Sequence, residues 1–138
     1  MHPAQPRSAA SFSCHRRPDG TVVCRVRGHV DVDSRTAVRD AFRFALDLVP
    51  SHCTLVVDLA DLAFCDSTGL NALLRLRHDA QQKHTHMVLS GPGRQFRRLL
   101  EVTGADALWT VHPNIDAAVR AAASAPRPGL PPHEPEAR

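Results

Sequence analysis

The sequence predicts an α/β domain on a largely parallel sheet that starts with a hairpin, in the order ββαβαβαβα. Three observations predict it. Short apolar runs recur at Leu55-Val56-Val57, Met87-Val88-Leu89 and Leu108-Trp109-Thr110-Val111, each too short for a helix. Between them lie segments with apolar residues every three or four positions, and strands alternating with helices need crossover connections that make the strands parallel. Finally, Pro18-Asp19-Gly20 separates two strand-like stretches, which marks a tight turn.

Along the chain, residues 1–10 show no period and read as a flexible leader. Residues 11–16 and 21–27 form the hairpin. In its second strand Val22, Cys24 and Val26 alternate with Val23, Arg25 and Arg27, so one face is buried and the other is partly wet. Gly28 ends that strand. Asp33 or Ser34 caps a helix running to about Val49, with Val38, Ala41, Phe42, Ala45 and Leu48 on its apolar face and Pro50 as its stop. The central strand opens at Leu55, and Leu62 and Phe64 continue to face a core. Leu70, Leu73, Leu74 and Leu76 then fill one broad helical face. Residues 81–86 are a polar connection into the Met87 strand. Ser90-Gly91-Pro92-Gly93 turns the chain into a helix carrying Phe96, Leu99, Leu100 and Val102, which Gly104 ends. After the last strand, Pro113-Asn114 starts a helix with Ile115, Ala118, Val119 and Ala122. Five prolines after Ser124 forbid more helix, and residues 124–138 read as a disordered tail.

With 138 residues the chain holds one core-forming domain, residues 11–123. The net charge of +3 comes from scattered arginines, a pattern of solubility rather than of direct nucleic-acid binding. Cys14, Cys24, Cys53 and Cys65 form no C-x-x-C pair and read as small hydrophobes in a reducing cytoplasm. No apolar stretch is long enough to insert into a membrane.

The organising stretch is residues 55–76, where a strand leads into a helix at Asp66-Ser67-Thr68-Gly69. Ser67 sits where an N-cap belongs, beside the positive end of a helix dipole. Its hydroxyl has three readings. The residues alone favour a cap and nothing more. A nucleophile would need an elbow or an activating His, and no motif supplies either. A phosphate there would bring about −1.5 to −2 charge, welcomed by the helix terminus and opposed by Asp66.

The run from Asp58 through Phe64-Cys65-Asp66-Ser67-Thr68-Gly69-Leu70 resembles the signature of STAS domains, and in particular of bacterial anti-sigma factor antagonists. Upstream, Gly28-His29-Val30-Asp31 is similar to the family's Gly-Glu-Leu-Asp. The resemblance covers residues 11–123. It implies a mixed sheet with helices mainly on one face, and a non-enzymatic regulator without cofactor or metal. It further implies that an anti-sigma factor, an ATP-dependent serine kinase, phosphorylates Ser67, and that a phosphatase resets it. The unphosphorylated antagonist would bind the kinase and release a sigma factor, as in stress-response or sporulation pathways. Asp31, Asp66, Thr68, Gly69 and Leu70 would shape the docking surface. Two positions depart from the pattern: His29 replaces the usual Glu, and Asn71 stands where the family often has Gly. The alternative with the same fold is a STAS subunit of a membrane lipid transporter, without phosphotransfer.

Other candidates carry less. His84 and His86 lack a third metal ligand. Gly91-Pro92-Gly93 reads as a turn rather than a phosphate cradle. Arg94, Arg97 and Arg98 read as a solvated helix face. Asp31 and Asp66 read as loop carboxylates rather than a Mg²⁺ site.

Overall fold

The computed structural model describes residues 9–124; the rest of the expected leader and tail lies outside the described residues. β1 (Ser11–Arg16) and β2 (Val22–Val30) form the predicted antiparallel hairpin. Its turn closes as Pro-Asp-Gly requires. The Arg17 N–H donates to the Thr21 carbonyl at 2.7 Å, the Asp19 carboxylate accepts the Thr21 N–H at 2.9 Å, and Gly20 takes a left-handed φ of 92°. β3 (Thr54–Asp58) pairs in parallel with β2 and with β5 (His86–Ser90), and β6 (Val111–His112) pairs in parallel with β5. The sheet order is β1-β2-β3-β5-β6.

The central strand divides in two. After Asp58 the chain loops out through Ala60 and Asp61 and returns as β4 (Leu62–Cys65), parallel to the last residues of β2. Gly28 does not end β2 as expected, but shifts its register on the way to Val30; its φ is 84° and its N–H reaches the Asp61 carbonyl at 3.1 Å. The alternating layout is kept, with this short strand added before the second helix.

α1 (Arg35–Leu48), α2 (Ser67–Gln82) and α3 (Arg94–Thr103) lie on one face. There Val38, Phe42, Leu73, Leu76, Phe96 and Leu100 meet Val22, Cys24, Val26, Leu55 and Val57 of the sheet. α4 (Ile115–Ser124) covers the other face, with Ala118 packed on Val23, Val56 and Val88. That placement explains both faces of β2: Val23 is buried under α4, while Arg25 and Arg27 beyond it stay exposed. A fully buried Leu contributes about 1.5–3 kcal/mol, more than the typical ~1 kcal/mol of an N-cap. Core packing therefore fixes where α2 lies, and its cap decides only the residue at which it begins.

Three expectations are corrected. Leu108 and Trp109 are not in a strand. Gly104 turns the chain at φ 77° into a 3₁₀ turn over Ala105–Leu108, Trp109 buries in the core, and only Val111 and His112 pair with β5. Val102 is 71% exposed, because α3 already fills its core stripe with Phe96 and Leu100. Neither Asp33 nor Ser34 caps α1 through its side chain; both belong to a preceding 3₁₀ turn (Val32–Ser34). The final helix opens as expected, with the Asn114 carboxamide oxygen accepting the Ala117 N–H at 2.8 Å.

Candidate functional site

Two parallel strand ends build the site. Val30 of β2 is in register with Cys65 of β4, and the Asp66 N–H donates to the Val30 carbonyl at 3.2 Å. Asp31 and Asp66 are the next residues of these two strands and so stand side by side. Each closes the adjoining turn. The Asp31 carboxylate accepts the Asp33 N–H at 3.1 Å while the Ser34 hydroxyl accepts the Asp31 N–H at 2.9 Å, a reciprocal capping box. The Asp66 carboxylate accepts the Thr68 N–H at 2.8 Å.

The N-cap of α2 is therefore Asp66, which corrects the expectation for Ser67. Asp66 is still extended (φ −100°, ψ −167°) and tied to β2, so Ser67 becomes the first helical residue. Ser67 is exposed, and its hydroxyl makes no hydrogen bond with any described residue. The two carboxylates act as caps in this arrangement.

Two residues hold this junction in place. Gly69 lies where α2 crosses the strand ends. A Cβ there would sit 2.2 Å from Cys65 Sγ and 2.8 Å from Val30 Cγ1. Gln95 of α3 faces the free edge of β4. Its Oε1 accepts the Cys65 N–H at 3.0 Å and its Nε2 donates to the Cys65 carbonyl at 2.8 Å, so one side-chain amide stands in for a missing strand. Burial, and then the Asp66 charge, push the Cys65 thiol up to about 12, so it stays a neutral packing group.

Asp31, Asp66, Ser67 and Thr68 thus come together where β2 and β4 end. Gly69 and Leu70 do not join them. Both are buried, Gly69 to allow close packing and Leu70 as a core residue, and neither side can meet a partner. Sequence reasoning missed Val32, which is 56% exposed between Asp31 and Asp33 and places an apolar side chain at the edge of the site. It also missed the groove between α1 and α2, of about 730 Å³, which Thr68 and Asn71 line together with Arg35, Arg39, Arg43 and Arg75. None of these four arginines forms an ion pair among the described residues. Their spacing along α1 was readable as a basic stripe; their facing Arg75 across a groove was not. His29, in place of the usual Glu, lies beside Phe64 with ring centroids 6.1 Å apart.

The remaining candidates do not converge. His84 stacks on His52 at 5.7 Å, whereas His86 neighbours His112. Among the described residues no three His, Cys, Asp or Glu side chains group as metal ligands. Gly91 makes a turn at φ 63°, with its N–H on the His112 carbonyl at 2.9 Å, and Arg94, Arg97 and Arg98 are exposed on α3. No helix among the described residues is long and apolar enough to cross a membrane.

Comparison with known proteins gives this geometry a context. The family model described as "STAS domain" matches residues 15–118. An anti-sigma-B factor antagonist of Listeria monocytogenes is 29% identical over 79 residues, covering 57% of this chain and 68% of that one. The crystal structure of an anti-sigma factor antagonist from Mycobacterium paratuberculosis superposes with a TM-score of 0.70 at 26% identity, over 83% of this chain and 95% of that one. The fold also recurs in murine Slc26a9, an anion transporter, with a TM-score of 0.68 at 19% identity, over 77% of this chain and 18% of the transporter. That last likeness is one of fold alone.

Proposed function

The chain belongs to the STAS domain family, and we propose that it is an anti-sigma factor antagonist, bound by an anti-sigma factor serine kinase and switched off by phosphorylation at Ser67. The observation that carries this reading is the exposed, unengaged Ser67 hydroxyl on the first turn of α2, with Asp66 holding the cap in its place. A hydroxyl used as a cap would have to leave its partner before it could accept a phosphate. This one is available without any local unfolding. The names of the Listeria and Mycobacterium proteins support the same role.

Docking in this reading uses Ser67 and Thr68, the carboxylates of Asp31 and Asp66, and the apolar side chain of Val32. It is a binding function, with the chemistry supplied by the kinase and by a resetting phosphatase. A phosphoserine at Ser67 brings about −1.5 to −2 charge next to Asp31, Asp33 and Asp66. The Thr68 N–H that would best receive it is already taken by Asp66. An interface fitted to a neutral hydroxyl then meets a poorly compensated dianion, which typically costs a few kcal/mol. Since about 1.4 kcal/mol is tenfold in affinity, one phosphate is enough to change partner.

The test uses the purified chain, its cognate anti-sigma kinase and ATP. Wild type gains one phosphate, and Ser67→Ala gains none while still binding the kinase. Ser67→Asp binds at least tenfold more weakly. Equal labelling of wild type and Ser67→Ala would remove the switch. Constitutive association with a transporter ATPase, without phosphotransfer, would instead support the transporter-subunit role.

A further inference from the structure

A second chemistry lies on the hairpin, away from Ser67. Cys14 of β1 and Cys24 of β2 are direct cross-strand partners. The pairing alternates along the hairpin. Arg17 and Thr21 are linked by the backbone hydrogen bond at the turn, so Arg16–Val22 is a non-hydrogen-bonded pair, His15–Val23 a hydrogen-bonded one, and Cys14–Cys24 non-hydrogen-bonded again. Non-hydrogen-bonded antiparallel partners have Cα atoms about 4.5 Å apart. That lies within the roughly 4.4–6.8 Å that disulfides span. Both side chains point to the same face, Cys24 within the core and Cys14 packed against it.

We propose that Cys14 and Cys24 are a redox-modification site, closing to a reversible disulfide across the hairpin when the protein meets a peroxide. The two thiols have unequal roles. Cys14 is half-buried on the edge strand and open to a small oxidant, whereas Cys24 is fully buried in the core. The neighbouring Cys24 thiol holds the Cys14 thiol below its ordinary value, while Cys14 and burial push Cys24 up. Cys14 is thus the attacking sulfur. Its thiolate takes the terminal oxygen of hydrogen peroxide, the O–O bond breaks, and the departing hydroxide is protonated to water. The Cys24 sulfur then attacks the Cys14 sulfenic acid. An S–S bond forms, the S–O bond breaks, and the hydroxide leaves as water with the Cys24 proton. Two thiols and one peroxide give one disulfide and two waters, and a cellular dithiol reverses the step.

The other two cysteines serve as internal controls. Cys65 is buried against the Gly69 position, and Cys53 packs beside Gly20 at the turn. Neither is a strand partner of another cysteine.

Full-length protein treated with hydrogen peroxide, alkylated and digested with trypsin tests the proposal. Arg16 and Arg17 lie between the two cysteines, so the disulfide joins two tryptic peptides that dithiothreitol separates again. Wild type should lose two titratable thiols and yield that linked pair. Cys14→Ser, a change on an edge strand, should slow thiol loss by roughly tenfold and yield no linked pair. In Cys24→Ala the Cys14 sulfenic acid should persist and be trapped by dimedone. Four free thiols in oxidised wild type, linkage through Cys53 or Cys65, or equal thiol loss in Cys14→Ser would each overturn it.

Discussion

Replacing Gly69 with alanine should destabilise the domain, although the same change in an open helix is favourable. Gly69 is the third residue of α2 and has ordinary helical geometry, so no backbone strain opposes a side chain. Helix propensity alone would stabilise the variant by about 1 kcal/mol. Against this stand two contacts shorter than real Cβ atoms tolerate, 2.2 Å to Cys65 Sγ and 2.8 Å to Val30 Cγ1. Neither neighbour can swing into solvent, since Cys65 and Val30 are 2% and 1% exposed. Gln95 also clamps the Cys65 backbone from its other edge. Overpacking of this kind costs typically about 1–3 kcal/mol, and with two clashes on rigid walls the upper part of that range applies. The net expectation is a loss of about 2 kcal/mol, or roughly a 1 M drop in urea midpoint at typical m-values. Cys65→Ala in the Gly69→Ala background removes the tighter clash. The double variant should then be more stable than the sum of the single losses predicts, by about 1 kcal/mol. Urea unfolding of the four proteins is the assay. A Gly69→Ala protein as stable as wild type, or strict additivity in the cycle, would refute the packing argument.

The exchange of cap predicts an order of effects: Asp66→Ala should cost about 0.5–2 kcal/mol, whereas Ser67→Ala should stay within about 0.5 kcal/mol of wild type. Thermal or urea unfolding reads both, and the reverse order would return the cap to Ser67. Gln95→Leu should cost about 1–3 kcal/mol by removing two hydrogen bonds from half-buried backbone groups; it should also speed hydrogen exchange at the Cys65 amide, and unchanged protection there would disprove the strand-edge role. His86 is exposed on β5, yet partial desolvation of its ring, and then the neighbouring His112, hold it below its ordinary 6.5, so on acidification the unfolded chain takes up this proton first. Stability should therefore fall as pH drops through about 6.5 and stop falling once the folded imidazole is also charged. His86→Asn should flatten that part of the pH–stability curve, and an unaltered slope would show that other groups cause it.

The range of each interaction explains where the sequence succeeded and where it failed. The helix face of Leu70, Leu73 and Leu76 and the two-sided pattern of β2 depend on near neighbours, and both were readable. The grouping of Asp31 with Asp66, Ser67 and Thr68 came only from the resemblance to STAS domains; what gathers them is the pairing of the β2 and β4 ends, which no local pattern signals. The cap was misplaced by one residue because Asp and Ser are both good caps and stand adjacent. The deciding interaction, Asp66 N–H to the Val30 carbonyl, joins residues far apart in the chain. Gln95 was hidden for the same reason: nothing near an exposed glutamine on α3 signals an open strand edge at Cys65. Gly69 shows a third kind of failure. In the local run it stands with the surface residues, yet the atoms that require a glycine belong to β2 and β4. A motif thus mixes residues that meet a partner with residues that hold them in place. In the proposed switch the exposed Ser67 and the half-buried Thr68 belong to the first kind. The buried Gly69 and Leu70 belong to the second, and substituting them should act on binding only through the position of α2.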